Sequence, residues 1–207
     1  QLTASVLPYF VVSWMGLSEQ DFIQTALAVQ GTALVMLFVW VQVSKRFEKK
    51  VVYTMGISLW MIAQIGLMLL QPGQVILMYA LAVLAGTGVS VAYLIPWSML
   101  PDVIELDELR TGERREGIFS GFMVLLQKMG LGVALFLVGQ ALGLAGFIES
   151  VPGEAQPQQP ESALFAIRSA IGVLPMLSLI AGLILAYFYP LSRDVHKQIC
   201  LDLAAKQ

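Results

Sequence analysis

The stretch "GFMVLLQKMGLGVALFLVGQALGLAGF", residues 121–147, is apolar and long enough to cross a bilayer, yet it contains one lysine, Lys128. A helix needs about 20 largely apolar residues to span hydrocarbon, and an unpaired ammonium group there is costly. The segment therefore points to a membrane helix with a functional residue in it. Five more segments share its character, and the expected spans are 2–16, 22–44, 51–70, 74–98, 117–146 and 163–190. The connections carry loop chemistry: "LSEQD", "KRFEKK", "QPGQ", "PDVIELDELRTGERRE" and "ESVPGEAQPQQPES" are rich in charge, glycine or proline.

Composition agrees with this reading. Of 207 residues 57% are hydrophobic and 13% charged, and the mean hydropathy is +0.77, outside the range of soluble globular domains. The chain is expected to be an all-α integral membrane protein, a six-helix bundle over 1–190 followed by a tail at 191–207. A net charge of −2 leaves no basic surface for nucleic acid. The lone Cys200 has no disulfide partner in the chain and is expected to be free in the tail. The chain starts at Gln1 with a short first apolar run, and we read it as a fragment of a longer protein.

Alternating the connections across the membrane gathers Lys45, Arg46, Lys49, Lys50, Arg110, Arg114, Arg115, Arg193, Lys197 and Lys206 on one side, ten of the twelve Lys and Arg. The positive-inside rule makes that side cytoplasmic, with the C-terminal tail inside. The other side carries Glu19, Asp21, Glu149, Glu154, Glu161 and Arg168. Pro8, Pro96, Pro175 and the run Gly86-Thr87-Gly88 are kink or close-packing positions within the spans.

On a helix over 117–146, Gly117, Gly121, Leu125, Lys128 and Gly132 fall on one stripe, so Lys128 is expected to face protein or a cavity. It lies about 16 Å along its span at 1.5 Å per residue, too deep to snorkel out. The other five spans contain no Asp or Glu. Either Lys128 is neutral, or its counter-charge comes from protein outside this chain.

The pattern Asp102-x-x-Glu105-x-x-Glu108-x-Arg110-x-x-x-Arg114-x-Glu116, with Lys128 twelve residues later, resembles the glycoside-pentoside-hexuronide:cation symporters, the melibiose permease group of the major facilitator superfamily. "PWSMLPDVI" also resembles the sodium-dependent lysophosphatidylcholine symporters of the same group. "LPYF" adds support, and "SKRFEKK" is similar to a degenerate form of the superfamily's basic loop. The resemblance implies the C-terminal half, helices seven to twelve, of a twelve-helix cation-coupled transporter in a bacterial inner membrane, surrounded by lipid. Its partner would be the N-terminal six-helix half of the same protein. That half would supply carboxylates beside Lys128, with sodium or a proton as coupling ion and no other cofactor. Asp102, Glu105, Glu108, Arg110, Arg114 and Glu116 would form a cytoplasmic gate. A sugar or related small solute is the implied cargo.

One departure bears on that cargo. Sugar-binding members tend to carry polar residues one turn before the lysine, where this chain has Met123 and Val124, which favours an amphiphile such as a lysophospholipid. Candidate cavity residues are Lys128, Gln127, Val124, Tyr9, Gln30 and Tyr93, with Gln24, Thr32, Thr87, Ser90 and Ser120 as further polar positions. A hydrogen bond between helices is the competing role for each.

An enzyme is not expected. The single His196 lies in the tail, and no span holds a metal-ligand cluster, paired carboxylates or a serine with its base. No metal site is expected either. Nothing supplies the charged ring or carbonyl filter of a channel. The remaining alternative is a half-transporter inactive alone.

Overall fold

The computed structural model describes residues 2–149 and 157–206. It is helical in the order α1 (Leu2–Pro8), a π-helical segment (Tyr9–Trp14), α2 (Glu19–Arg46), α3 (Lys49–Leu69), α4 (Val75–Thr111), α5 (Glu116–Leu144), α6 (Glu161–Tyr187) and α7 (Arg193–Lys206). Helices α2 to α6 are each long and apolar enough to span a membrane, and Leu2–Trp14 forms a shorter apolar helix.

Local chemistry explains the ends of these helices. Ser18 opens α2 with a capping box: its hydroxyl accepts from the Asp21 backbone N–H, and the Asp21 carboxylate accepts from the Ser18 N–H at 3.0 Å, which satisfies donors a helix start leaves free. Gly112 closes α4 at φ 76°, with its N–H on the Glu108 carbonyl at 2.8 Å, a left-handed position that glycine adopts without steric cost. Arg168 of α6 donates twice to the Met68 carbonyl at the end of α3, at 2.9 and 3.3 Å, and its guanidinium lies 4.5 Å from the Trp14 ring. A cation there also complements the negative end of the α3 dipole.

Helix α4 is the central element and packs most extensively on α3 and α2. It is apolar all round in its membrane part, as a buried span must be, and small residues let its neighbours close in. A Cβ added to Gly86 would lie 2.5 Å from the Val29 carbonyl of α2, and one on Gly88 would lie 2.7 Å from the Gly56 carbonyl of α3. The Trp40 indole of α2 donates to the Thr87 carbonyl between them at 2.9 Å. Toward one end a cluster including Phe10, Leu67, Met78, Ile167 and Ile171 joins α1, the π segment, α3, α4 and α6. A second cluster unites Trp40, Val52, Val91 and Ile95.

Three expectations are corrected. The charged segment starting at Pro101 is not a loop: α4 runs on through Thr111, with Ile104 and the Lys49-paired Asp102 buried and the other charges of "DVIELDELR" partly or fully exposed. The tail is helix α7, packed on that extension. The first span is a short helix that changes from α to π type, with Pro8 at the junction, where its missing N–H opens the ladder. In the 149–162 connection, residues 150–156, including Glu154, lie outside the described residues. The flanking residues are tied by a two-way pairing of the Gln159 amide with the Ile148 backbone, at 2.7 and 3.0 Å.

Candidate functional site

A cavity of about 860 Å³ opens among α1 to α6. Leu7 of α1, Phe22 and Val29 of α2, Trp60 of α3, Trp97 of α4 and Leu131 and Ala134 of α5 make its walls chiefly apolar. The polar groups at its margin are few: Thr3, Thr25, Gln30, Tyr93, Gln127 and Ser178. Gln64 is fully buried and donates to the Thr3 hydroxyl at 2.9 Å. The Trp60 indole N–H is buried without an acceptor among the described residues. A mostly apolar cleft with a handful of placed polar groups is the usual form of a small-molecule site.

Of the six candidate cavity residues, the structure brings Gln30, Tyr93 and Gln127 together. Tyr9 is on the π segment, edge-on to Phe147 with ring centroids 5.3 Å apart, and Val124 is exposed outside the cavity wall. Lys128 follows Gln127 on α5 and is exposed, with no ion pair or hydrogen bond to another described residue. The expected stripe of small residues does not meet a helix of this chain: Gly117, Gly121 and Gly132 have open space where a Cβ would stand. Helix α5 is the least buried of the five long helices. The face that carries Lys128 is thus open to whatever lies beyond this chain.

The second group of candidates lies at the basic end. Asp102 is buried, against the expectation of an exposed loop residue, and both its oxygens accept from the Lys49 ammonium at 2.7 and 2.8 Å. The same ammonium donates to the Ser98 carbonyl at 2.6 Å, beside the gap that Pro101 leaves in the helix ladder. Around the pair lies a smaller cavity of about 410 Å³, lined by Glu48, Lys50, Tyr189, Arg193 and His196 among others. Tyr189 donates to Asp102 at 3.5 Å. Burial first, then the Asp102 charge and hydrogen bond, hold its phenol well above the ordinary tyrosine range.

Glu105 accepts from Cys200 at 3.3 Å and stands 2.6 Å from His196 Nε2. Burial, then the Glu105 carboxylate, pushes the Cys200 thiol up. Arg114 bridges Glu108 at 3.2 Å and Glu116 at 2.7 Å, and Arg115 makes a fork onto Asp107 at 2.6 and 2.9 Å. Arg110 is exposed without an ion pair among the described residues. Arg193 donates to the Ser44, Lys45 and Phe47 carbonyls, so α7 is tied to the α2–α3 turn as well as to α4.

The sequence reading missed Lys49, Tyr189, His196 and Cys200 as members of this cluster. Lys49 was one charge in a basic turn, Tyr189 stood at the end of the last expected span, and His196 and Cys200 lay in a segment read as tail. The i, i+4 spacing of His196 and Cys200 was the available signal, since it puts both on one face of a helix.

The chain matches the family described as MFS/sugar transport protein over residues 1–193. It is 62% identical over 207 residues, all of the chain and 38% of the relative, to a Synechocystis protein named as an uncharacterized symporter. To the human sodium-dependent lysophosphatidylcholine symporter 1 it is 32% identical over 182 residues, 87% of the chain and 32% of that protein. A Xenopus tropicalis sphingosine-1-phosphate transporter is 30% identical over 187 residues, 89% of the chain and 35% of the relative. The chain spans about a third of the length of these relatives.

Proposed function

Because the chain belongs to the MFS/sugar transport family, whose relatives are named as symporters and transporters rather than enzymes, we propose that it forms the C-terminal six-helix half of a cation-coupled symporter for an amphiphile with one polar end. Cargo would bind in the 860 Å³ cavity, its apolar part against Phe22, Trp60, Trp97 and Leu131 and its polar part toward Gln30, Tyr93 and Gln127. The apolar wall is the observation that carries the substrate class, because a sugar would leave hydroxyls unpaired against it. The lysophospholipid and sphingosine phosphate named for two relatives are amphiphiles of this kind.

A second six-helix half would cover the open face of α5 and bring carboxylates to Lys128, which supports a role for the lysine in coupling to sodium or a proton. Rocking of the two halves about a midplane site would give alternating access. The basic end, with α7, would face the cytoplasm of a bacterial inner membrane by the positive-inside rule. The ion pairs there would act together on the gate, since exposed pairs contribute only about 0–1 kcal/mol each.

The test is uptake by the full-length protein in proteoliposomes of a labelled lysophospholipid and a labelled disaccharide, with and without an inward sodium or proton gradient. Gradient-driven lysophospholipid uptake is expected, together with loss of ion dependence in Lys128→Ala. Disaccharide uptake alone would overturn the substrate class, and an ion dependence unchanged in Lys128→Ala would overturn the role of the lysine.

A further inference from the structure

The only histidine and the only cysteine of the chain meet one carboxylate across the α4–α7 contact. His196 and Cys200 are one turn apart on α7, and both face Glu105 on the extension of α4. His196 Nε2 and Glu105 Oε2 are 2.6 Å apart, Cys200 Sγ and the same oxygen 3.3 Å, and Sγ and Nε2 3.7 Å. One donor atom from each lies within 4.8 Å of the others. The cluster is reachable: the side chains of His196 and Glu105 are 30% and 25% exposed, and Cys200 is exposed.

We propose that Glu105, His196 and Cys200 form a binding site for a divalent cation of borderline softness, of which zinc is the representative, that clamps α7 onto α4. A soft thiolate, an imidazole and a carboxylate together suit zinc, whereas calcium and magnesium take all-oxygen sets. Tetrahedral zinc with bonds of about 2.0–2.3 Å puts its donor atoms roughly 3.4–3.6 Å apart. The two sulfur separations are already close to this, and only the nitrogen–oxygen pair must widen, by less than about 1 Å, which rotation of the glutamate side chain supplies. The fourth position is open to water.

Binding displaces the Cys200 proton to solvent, and the Sγ–metal bond replaces the S–H bond without change of oxidation state. The dication then meets two ligand charges, from thiolate and carboxylate. Asp102, whose nearer oxygen is 3.4 Å from His196 Nε2, stays paired with Lys49, and Arg114 keeps Glu108 and Glu116. The site needs no transport activity to exist.

The test uses the intact protein, purified in detergent without a polyhistidine tag and stripped with chelator. Zinc binding is measured by competition with a chelating dye, and cobalt loading by absorption spectroscopy. One equivalent of zinc and a thiolate-to-cobalt charge-transfer band are expected. Cys200→Ser should abolish the band, His196→Gln should weaken zinc binding at least tenfold, and Cys200→His should keep zinc while losing the band. Thermal midpoints in chelator, equal among the variants, separate ligand loss from misfolding. Failure to retain zinc, a cobalt complex without the thiolate band, or retention unchanged in both Cys200→Ser and His196→Gln would overturn the proposal.

Discussion

Asp102 illustrates how a single residue acquires its role from neighbours far along the chain. Its carboxylate is buried, and it is held by Lys49, 53 positions earlier, and by Tyr189, 87 positions later. A buried charge without such a partner would be costly. Tyr189 gives this cluster a measurable pH signature. Its phenol is held above the ordinary value near 10, so in the unfolded chain it loses its proton first. Unfolding then releases a proton above about pH 10, and rising pH favours the unfolded state. The stabilisation is therefore complete below about pH 10 and is lost as pH rises beyond it. Thermal unfolding in detergent should show wild type losing stability faster than Tyr189→Phe above about pH 10, and superimposable pH profiles would contradict the assignment. The motif positions Asp102, Glu105 and Arg114 were legible in the sequence. Their partners were not, since neither spacing nor composition links Lys49 to Asp102 or Glu105 to the tail.

At the scale of elements, hydropathy made four of the five long helices legible to within a few residues at each end, because an apolar run of bilayer length has few alternatives. It failed for the end of α4, where charge was taken as a sign of loop. There Asp102 and Ile104 are both buried, and the helix continues past both prolines. The close-packing expectation for Gly86 and Gly88 is met at contacts with backbone carbonyls that cannot rotate away. Gly86→Ala and Gly88→Ala should each lower unfolding stability in detergent by about 1–3 kcal/mol, the cost of forcing extra volume into a packed contact. Gly31→Ala on α2, where a Cβ meets open space, should be neutral or slightly stabilising, because alanine has the higher helix propensity. Equal effects at all three positions would argue against α4 as the tightly packed axis.

For the whole molecule, the six-segment bundle and its charge asymmetry followed from sequence, while the cavity did not, since its wall draws side chains from six helices. The orientation of Lys128 was only half legible: periodicity gave its stripe but not what that stripe faces. Gly130 lines the cavity with open space where a Cβ would stand, so Gly130→Trp should fill the space, leave the fold intact and reduce lysophospholipid uptake in proteoliposomes at least tenfold. Undiminished uptake would place the cargo elsewhere. The length of α4 has one further consequence. At 1.5 Å per residue its 37 residues extend about 55 Å, well beyond a hydrocarbon core of about 30 Å. The helix is a lever with its cavity residues near the fulcrum and its charges at the far tip. A tilt of about 10° at Pro96 would carry Thr111, roughly 22 Å onward, through nearly 4 Å. That swing exceeds the length of any ion pair described at the tip, so in the symporter proposed above a modest adjustment around bound cargo would be enough to exchange one set of charge partners for another.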